Sequence, residues 1–151
     1  MQIETVDIED LEEILNLQKI AFQVQAKIYN DYTIPPLIET FEEIKNNFTQ
    51  QTFLKALIDG KIVGSVRGYK EGNTCHIGRL IVHPDFQNQG IGTKLMNEIE
   101  LYFKDIKKFE LFTGHKSKKN IYLYKKLGYK EFKTEPIHEN LTHIYFKKNV
   151  L

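Results

Sequence analysis

Residues 87–92 combine side-chain amides and glycines in an order that could bind phosphate groups. They follow an apolar run at residues 80–82 that is typical of a buried strand, and a helical pattern of apolar residues follows them. At a helix start the first backbone N–H groups lack intrahelical partners, and here those groups belong to residues 89–92. Because Gly90 and Gly92 have no Cβ atom, an anion can approach the chain closely. The segment therefore predicts a phosphate site.

Two common phosphate motifs do not fit these residues. The dinucleotide fingerprint needs a third glycine where this chain has Leu95. The P-loop needs Gly-Lys followed by Ser or Thr, whereas the order here is Gly92-Thr93-Lys94. The pattern that remains is Gln-x-x-Gly-x-Gly, which begins at Gln87 and is preceded by Val-x-Pro at the end of the strand. Without a ligand, the same residues would form a glycine-capped loop.

A second segment, residues 117–129, places a tyrosine near the end of a predicted helix. It finishes with Leu-Tyr-x-x-Leu-Gly-Tyr, in which Tyr124 is the first tyrosine and Gly128 closes the helix. The two motifs, in this order, resemble those of the GNAT superfamily of N-acetyltransferases. The resemblance extends over about residues 1–148, although the first third matches in pattern more than in residues.

The resemblance implies a role for each site residue. The glycine loop would bind the pyrophosphate of coenzyme A, while the backbone of residues 80–82 would hold its pantetheine arm and donate an N–H toward the thioester carbonyl. Tyr124 would give a proton to the departing thiolate, as a phenol of ordinary pKa about 10 can do within hydrogen-bond reach. From spacing alone, Tyr124 would be an aromatic packing residue. The implied cofactor-binding residues are Leu80, Ile81, Val82, Gln87, Asn88, Gln89, Gly90, Ile91, Gly92, Thr93, Ser117 and Asn120.

The chain departs from the family pattern in two respects. Ser117 stands seven residues before Tyr124, where relatives often have asparagine, and its shorter side chain could cap the helix or contact the cofactor. Asn120, one turn later, could take over part of that contact. No residue identifies itself as the general base, although an amine of ordinary pKa about 10 must lose a proton before it attacks. The alternatives are Glu110, Asp31, Glu39 and water.

Hydrophobic periodicity and turn residues predict the order β-α-α-β-β-β-α-β-α-β-β. The predicted strands are residues 2–6, 52–58, 62–69, 74–82, 109–113, 129–133 and 142–147, and the predicted helices are residues 7–28, 40–48, 90–103 and 117–127. This order matches the GNAT fold, an α+β (mixed α/β) fold. Its central sheet is mixed, mostly antiparallel and seven-stranded, with four flanking helices. The fourth and fifth strands splay apart, and the cofactor's pantetheine arm enters between them.

Length and composition favour one domain, residues 1–151, with 41% hydrophobic residues. The single cysteine, Cys75, excludes an internal disulfide and suits a reducing compartment. No apolar run approaches the ~20 residues of a membrane helix, and the acidic N-terminus has no signal-peptide character. We therefore expect a cytoplasmic protein without a membrane contact, as a monomer or homodimer. The histidines show no zinc-ligand spacing, so no metal is expected.

The net charge of +1 conceals an uneven distribution. Residues 1–50 contain three lysines and ten acidic residues, a net of −7, so residues 51–151 carry +8. Lysine clusters in the basic part could attract a CoA nucleotide. Residues 29–43, where the fold places the acceptor side, contain no basic residue and favour a cationic amine acceptor. The acids of that segment are Asp31, Glu39, Glu42 and Glu43.

The favoured function is transfer of an acetyl group from acetyl-CoA to a primary amine of a small molecule or peptide. The alternative is a non-catalytic CoA or acyl-CoA sensor of the same fold. A third hypothesis, a basic nucleic-acid-binding domain, is disfavoured because the lysine clusters lack an arginine-rich or aromatic-interleaved strip. No nucleic-acid partner is therefore expected.

Overall fold

One mixed sheet crosses the protein, whose computed structural model describes residues 1–150. Its strands are β1 (Gln2–Thr5), β2 (Thr52–Ile58), β3 (Lys61–Glu71), β4 (Thr74–Val82), β5 (Lys108–Gly114), β6 (Lys130–His138) and β7 (Leu141–Asn149). Within residues 1–150 the spatial order is β1-β2-β3-β4-β5-β7-β6, and every neighbouring pair is antiparallel except β4 and β5. The predicted seven-stranded, mostly antiparallel mixed sheet is confirmed.

Four of the helices correspond to the predicted ones. The helices are α1 (Leu11–Tyr29), α2 (Pro35–Ile38), α3 (Phe41–Phe48), α4 (Ile91–Tyr102) and α5 (Lys118–Lys126). The prediction of four helices is wrong, because the structure has one more, the short helix α2. It begins at Pro35, whose fixed φ suits a first helical position. None of the described helices is long and apolar enough to cross a membrane.

The N-terminus of α3 illustrates how local sequence sets an element. Thr40 Oγ1 accepts a hydrogen bond from the Glu43 backbone N–H at 3.1 Å, and Glu43 Oε1 accepts one from the Thr40 N–H at 2.9 Å. This reciprocal capping box satisfies two donors that the helix itself leaves unpaired. The predicted capping box is therefore confirmed.

The parallel contact between β4 and β5 is short. It pairs Thr74 with Lys108, Cys75 with Phe109 and His76 with Glu110, and the two strands share no further pair among the described residues. The predicted splaying of the fourth and fifth strands is confirmed. From residue 77 onward, β4 presents to this gap a backbone edge that β5 does not occupy.

Apolar side chains cover both faces of the sheet. Successive residues of a strand point to opposite faces, and Phe53 and Leu54 accordingly belong to two separate buried clusters. One cluster contains Leu95, Met96 and Ile99 of α4, and the other is built around α1 and α3. Each such fully buried side chain contributes about 1.5–3 kcal/mol of transfer free energy. This packing on both faces of the sheet holds the strands that carry the loops at the β4–β5 gap in place.

Candidate active site

The loop after β4 ends at a helix terminus with free donors. Gly90 precedes α4 with φ of 78°, and no side chain caps this helix. The first intrahelical bond runs from the Lys94 N–H to the Gly90 carbonyl at 3.0 Å, so the N–H groups of the three residues between them have no intrahelical acceptor. Such groups, with the positive end of the helix dipole, favour an anion.

Gly92 lies where the loop packs against its surroundings. A Cβ atom at this position would lie 3.4 Å from Leu123 Cδ2 of α5 and 3.9 Å from side-chain carbons of Leu80 and Val82. A methyl group fits there, but a longer side chain must extend into the cleft beside the loop. Gly92 therefore keeps this cleft open.

The cleft has a volume of about 240 Å³ and lies between α1, β4, α4 and α5. Of the residues predicted to bind the cofactor, those that line it are Leu80, Ile81, Val82, Gln87, Asn88, Gly90, Ile91, Gly92, Thr93 and Asn120. Gln89 and Ser117 do not line it. The structure thus brings residues 80–93 together with Asn120, which lies further along the sequence.

A larger cavity of about 880 Å³ adjoins this cleft. Phe22, Gln25, Leu80 and Asn120 line both spaces, so the two meet at this point. Tyr124 lines the larger cavity only. Two molecules that entered from the two sides would therefore come together beside Leu80.

Tyr124 is buried on α5 but keeps its hydroxyl free. Its ring packs against Tyr129 and Phe146, with ring centroids 6.1 and 5.9 Å away. The hydroxyl forms no hydrogen bond with any of residues 1–150. Burial raises the pKa of Tyr124 well above its ordinary value. The phenol is therefore in its protonated form at neutral pH, with a hydroxyl that no group of residues 1–150 engages, on a residue that lines the larger cavity.

Ser117 joins a buried network instead of capping α5. Its Oγ donates to Gln25 Oε1 at 2.7 Å and lies 2.7 Å from Tyr29 Oη. Because the serine proton is used on Gln25, Tyr29 donates to Ser117 and accepts from the Lys116 N–H at 2.9 Å. The hypothesis that Ser117 caps the helix is wrong, because its hydroxyl instead forms hydrogen bonds with two residues of α1.

The three carboxylates considered as general base have different surroundings. Glu110 lines the larger cavity, with its Oε2 3.1 Å from Lys108 Nζ. Asp31 also lines the cavity, but hydrogen bonds from the hydroxyl and N–H of Thr33 lower its pKa, with a further contribution from His138. Glu39 does not line it. Of the three carboxylates, Glu110 therefore has the fewest hydrogen-bond and ion-pair partners.

Glu39 is part of a buried ion pair. Its Oε1 accepts from Arg67 Nη2 at 3.0 Å and from Gln18 Nε2 at 2.9 Å, while its Oε2 accepts from Asn47 Nδ2 at 2.7 Å. Burial alone would raise the pKa of Glu39, but the hydrogen bonds from Arg67 and Gln18 and the charges of Arg67 and Arg79 lower it to about 2. The hypothesis that Glu39 is the general base is wrong.

The acidic segment, residues 29–43, does not form an acidic cavity wall. Glu42 and Glu43 are exposed on α3 and do not line the cavity, and the charge of Glu39 is compensated by Arg67. Asp31 alone of these four faces the cavity, with its Oδ2 2.9 Å from His138 Nε2. A count of charges along the sequence could not reveal these partners.

Several residues of the site were missed by sequence reasoning. Phe22 and Gln25 of α1 line both spaces, and Arg67 and Arg79 line the larger one. Phe22 falls at helical spacing with the apolar residues of α1, but that spacing predicts core packing equally well. No local motif marks the other three.

Comparison with known proteins defines the class. The model of the acetyltransferase (GNAT) family matches residues 11–129, most of the chain. The chain therefore belongs to the GNAT acetyltransferase family. The predicted family is confirmed.

Individual relatives agree in fold. The PaiA N-acetyltransferase of Thermoplasma acidophilum, solved in complex with coenzyme A, is 21% identical, with a TM-score of 0.78 over 99% of both chains. A GNAT family acetyltransferase of Elizabethkingia anophelis, solved with acetyl-CoA bound, is 27% identical over 75% of this chain and 85% of the other, with a TM-score of 0.65.

A curated relative is considerably longer. The UPF0157 protein YqkA of Bacillus subtilis is 28% identical over 142 residues, which cover 91% of this chain but 41% of the relative. The chain thus spans less than half the length of this curated relative. The activity and substrates of the whole protein are therefore a matter of proposal.

Proposed function

We propose that the protein transfers the acetyl group of acetyl-CoA to a primary amine of a small molecule or peptide. One observation carries the proposal: the cleft beside the glycine loop and the larger cavity meet at Leu80, and Tyr124, whose hydroxyl has no protein partner among residues 1–150, lines that larger cavity. The arrangement suits a reaction of two substrates that enter from two sides.

The glycine loop and the β4–β5 gap would bind acetyl-CoA. The free N–H groups at the start of α4 suit the pyrophosphate, and the open backbone edge of β4 suits the amide groups of pantetheine. Lys119 lies close by, with its Nζ 3.5 Å from Gln87 Oε1, and would add a positive charge beside the phosphates. In this pose the thioester would lie near Leu80.

The chemistry needs one bond to form and one to break. The amine nitrogen attacks the thioester carbonyl carbon, a C–N bond forms, and the C–S bond then breaks to release coenzyme A. An acceptor that binds as the ammonium ion loses one proton to a base before the attack and a second as the amide forms, while the sulfur gains one. Tyr124 would protonate the thiolate, and a backbone N–H of residues 80–82 would stabilise the developing oxyanion.

Glu110 would take the proton from the acceptor, directly or through water. It lines the acceptor cavity, whereas the lowered pKa of Asp31 makes that carboxylate a weaker base. An amine acceptor is itself cationic in neutral water, because its ordinary pKa is about 10. The carboxylates of Asp31 and Glu110 suit this ammonium form. They, and not the acidic segment as a whole, support a cationic acceptor.

Release of free thiol from acetyl-CoA, measured across a panel of primary amines, tests the proposal. We expect amine-dependent thiol release with the acetylated amine as the matching product. Tight binding of acetyl-CoA without turnover for any amine would instead indicate a sensor of the same fold.

A further inference from the structure

Arg79 occupies an irregular position of β4 at the edge of the acceptor cavity. The pairing of β3 with β4 shifts register between Ser65 and Arg67, and Arg79 lies opposite this shift with φ of 49°. Residues other than glycine rarely adopt this backbone conformation. The bulge turns Arg79 into the cavity next to Leu80, where the cavity meets the cofactor cleft.

The guanidinium of Arg79 has no hydrogen-bond partner in residues 1–150. Its Nε is buried and unpaired, and lies 3.9 Å from Glu39 Oε1. That carboxylate cannot serve it, because both Glu39 oxygens already accept bonds from Arg67, at 3.0 and 3.2 Å, and from Gln18 and Asn47. Buried polar groups of folded proteins are almost always hydrogen-bonded. Arg79 therefore has a donor without a protein acceptor among these residues at Nε, and its side chain, 24% exposed overall, is accessible from the cavity.

Arg67 shows what a structural arginine looks like in the same wall. Its guanidinium donates to Glu39 and, at 2.8 Å, to Gln18 Oε1, and it lies over the Phe53 ring at 4.5 Å. All of these partners lie on the protein. Arg79 has the same charge but none of these bonds, and its contact with Glu39 is a longer one, at 3.9 Å.

The cavity wall as a whole favours an anion near Arg79. Its carboxylates, Asp31 and Glu110, are each within 3.1 Å of a basic nitrogen, of His138 and Lys108 respectively. The remaining cations of the wall are Arg67, Arg79 and Lys133. The Lys133 ammonium lies over the Tyr145 ring at 4.4 Å. Because Glu39 pairs with Arg67, the positive charges left without a close carboxylate in the described part of the chain are Arg79 on β4 and Lys133 on β6, and Arg79 is the one beside Leu80.

We propose that the acceptor is a small amino-acid-like amine whose anionic group, a carboxylate, is held by the guanidinium of Arg79. This inference rests on the proposed function and specifies its substrate class. A guanidinium binds a carboxylate through two parallel hydrogen bonds, which fix its orientation. Because Arg79 adjoins Leu80, the carboxylate and the reacting amine must lie close together. A free amino acid meets this requirement, whereas a lysine side chain within a protein does not.

Calorimetric titration of the CoA-loaded protein with matched amine pairs tests the proposal without turnover. Each pair consists of a common amino acid and its carboxamide, which has nearly the same shape but no anionic group. We expect the carboxylate member of the preferred pair to bind about tenfold or more tightly, as for a charged hydrogen-bonded contact. Equal binding, or no binding, across all pairs would overturn the inference, whether or not any variant folds.

Substitutions assign the preference to one residue. Arg79→Asn removes the charge and suits the left-handed backbone, and it should abolish the preference for the carboxylate while leaving affinity for the carboxamide unchanged. Lys133→Asn should retain the preference. If Lys133→Asn abolished the preference and Arg79→Asn kept it, the assignment to Arg79 would be overturned.

Two further arms separate the remaining questions. Aminophosphonates in place of the amino acids distinguish a carboxylate from another anion, and tighter binding of the phosphonate would overturn the carboxylate assignment. Thiol release from acetyl-CoA with the preferred amino acid tests transfer separately. A binding preference without thiol release would contradict the proposed function and leave the anion site intact.

Discussion

Arg67 and Glu39 form a buried ion pair, with Nη2 and Oε1 3.0 Å apart and both side chains about 95% shielded from solvent. The pair joins strand β3 to the turn before α3, and Gln18 of α1 completes it through hydrogen bonds to both partners. Three segments that contribute to the wall of the larger cavity are therefore joined to one another. The two charges stabilise the fold only together, because either one alone would be buried and unpaired.

Removal of one partner should be costly. Arg67→Met leaves the Glu39 carboxylate buried without its main partner, and we expect a loss of about 3–5 kcal/mol in the free energy of unfolding. Urea titration followed by circular dichroism measures this loss. Glu42→Gln, on the exposed face of α3, is the control and should change stability by less than about 0.5 kcal/mol. A similar small effect for Arg67→Met would mean that Arg79 replaces it fully.

The same pair predicts a loss of stability in acid. The folded-state pKa of Glu39 is about 2, compared with an ordinary value of 4.5. A carboxyl group with a lowered pKa stabilises the folded state above its ordinary pKa, and this contribution disappears as the pH falls from about 4.5 to about 2. The shift corresponds to roughly 3 kcal/mol. Glu39→Gln should therefore be less stable than the original protein near pH 7, and the difference should shrink by pH 3. A difference independent of pH would contradict the ion pair.

Local sequence signals sufficed for most of the sheet. The bounds of β2 and β4 agree with prediction because Asp59-Gly60 and Gly72 supply turns with positive φ at 50°, 77° and 60°. Strand β6 is longer than predicted, Lys130–His138 instead of residues 129–133. It is an edge strand whose residues are all exposed and include Pro136, so no alternation of apolar and polar residues revealed its length.

The site was predictable where it is local in sequence. Residues 80–82 and the glycine loop, except Gln89, line one cleft because they lie within one short stretch of chain. The hydrogen bond between Tyr29 and Ser117 joins residues 88 positions apart, and no motif encodes such a contact. Arg79 was missed for a related reason: a bulge depends on how two strands pair, which the sequence of one strand does not state.

Substitution of Gly92 tests the glycine loop. Gly92→Glu places a long acidic side chain in the cleft, so acetyl-CoA binding should be abolished through bulk and charge repulsion. Gly92→Gln has the same size without the charge, and Gly92→Ala adds a methyl group that fits at 3.4 Å from Leu123. Calorimetry should rank the affinities Ala above Gln above Glu, with thermal melting as the check on folding. Unchanged affinity in folded Gly92→Glu would exclude this loop as the phosphate site.

Replacement of Tyr124 tests the proposed proton donor. Tyr124→Phe keeps the ring that packs against Tyr129 and Phe146, so folding and acetyl-CoA affinity should be preserved. Loss of the hydroxyl should lower kcat by about 10²-fold or more, within the range of general acid catalysis.

The neighbouring Tyr122 provides a matched control on the same helix. It is 69% exposed, and Tyr122→Phe should leave kcat unchanged. Because burial raises the pKa of Tyr124, kcat of the original protein should also show no decline from phenol ionisation near pH 10, where an exposed tyrosine titrates. Steady-state kinetics from about pH 7 to 10.5 with one identified amine measures both effects. If Tyr124→Phe raised the KM for acetyl-CoA and left kcat intact, Tyr124 would be a packing residue of the cavity and water would be the proton donor.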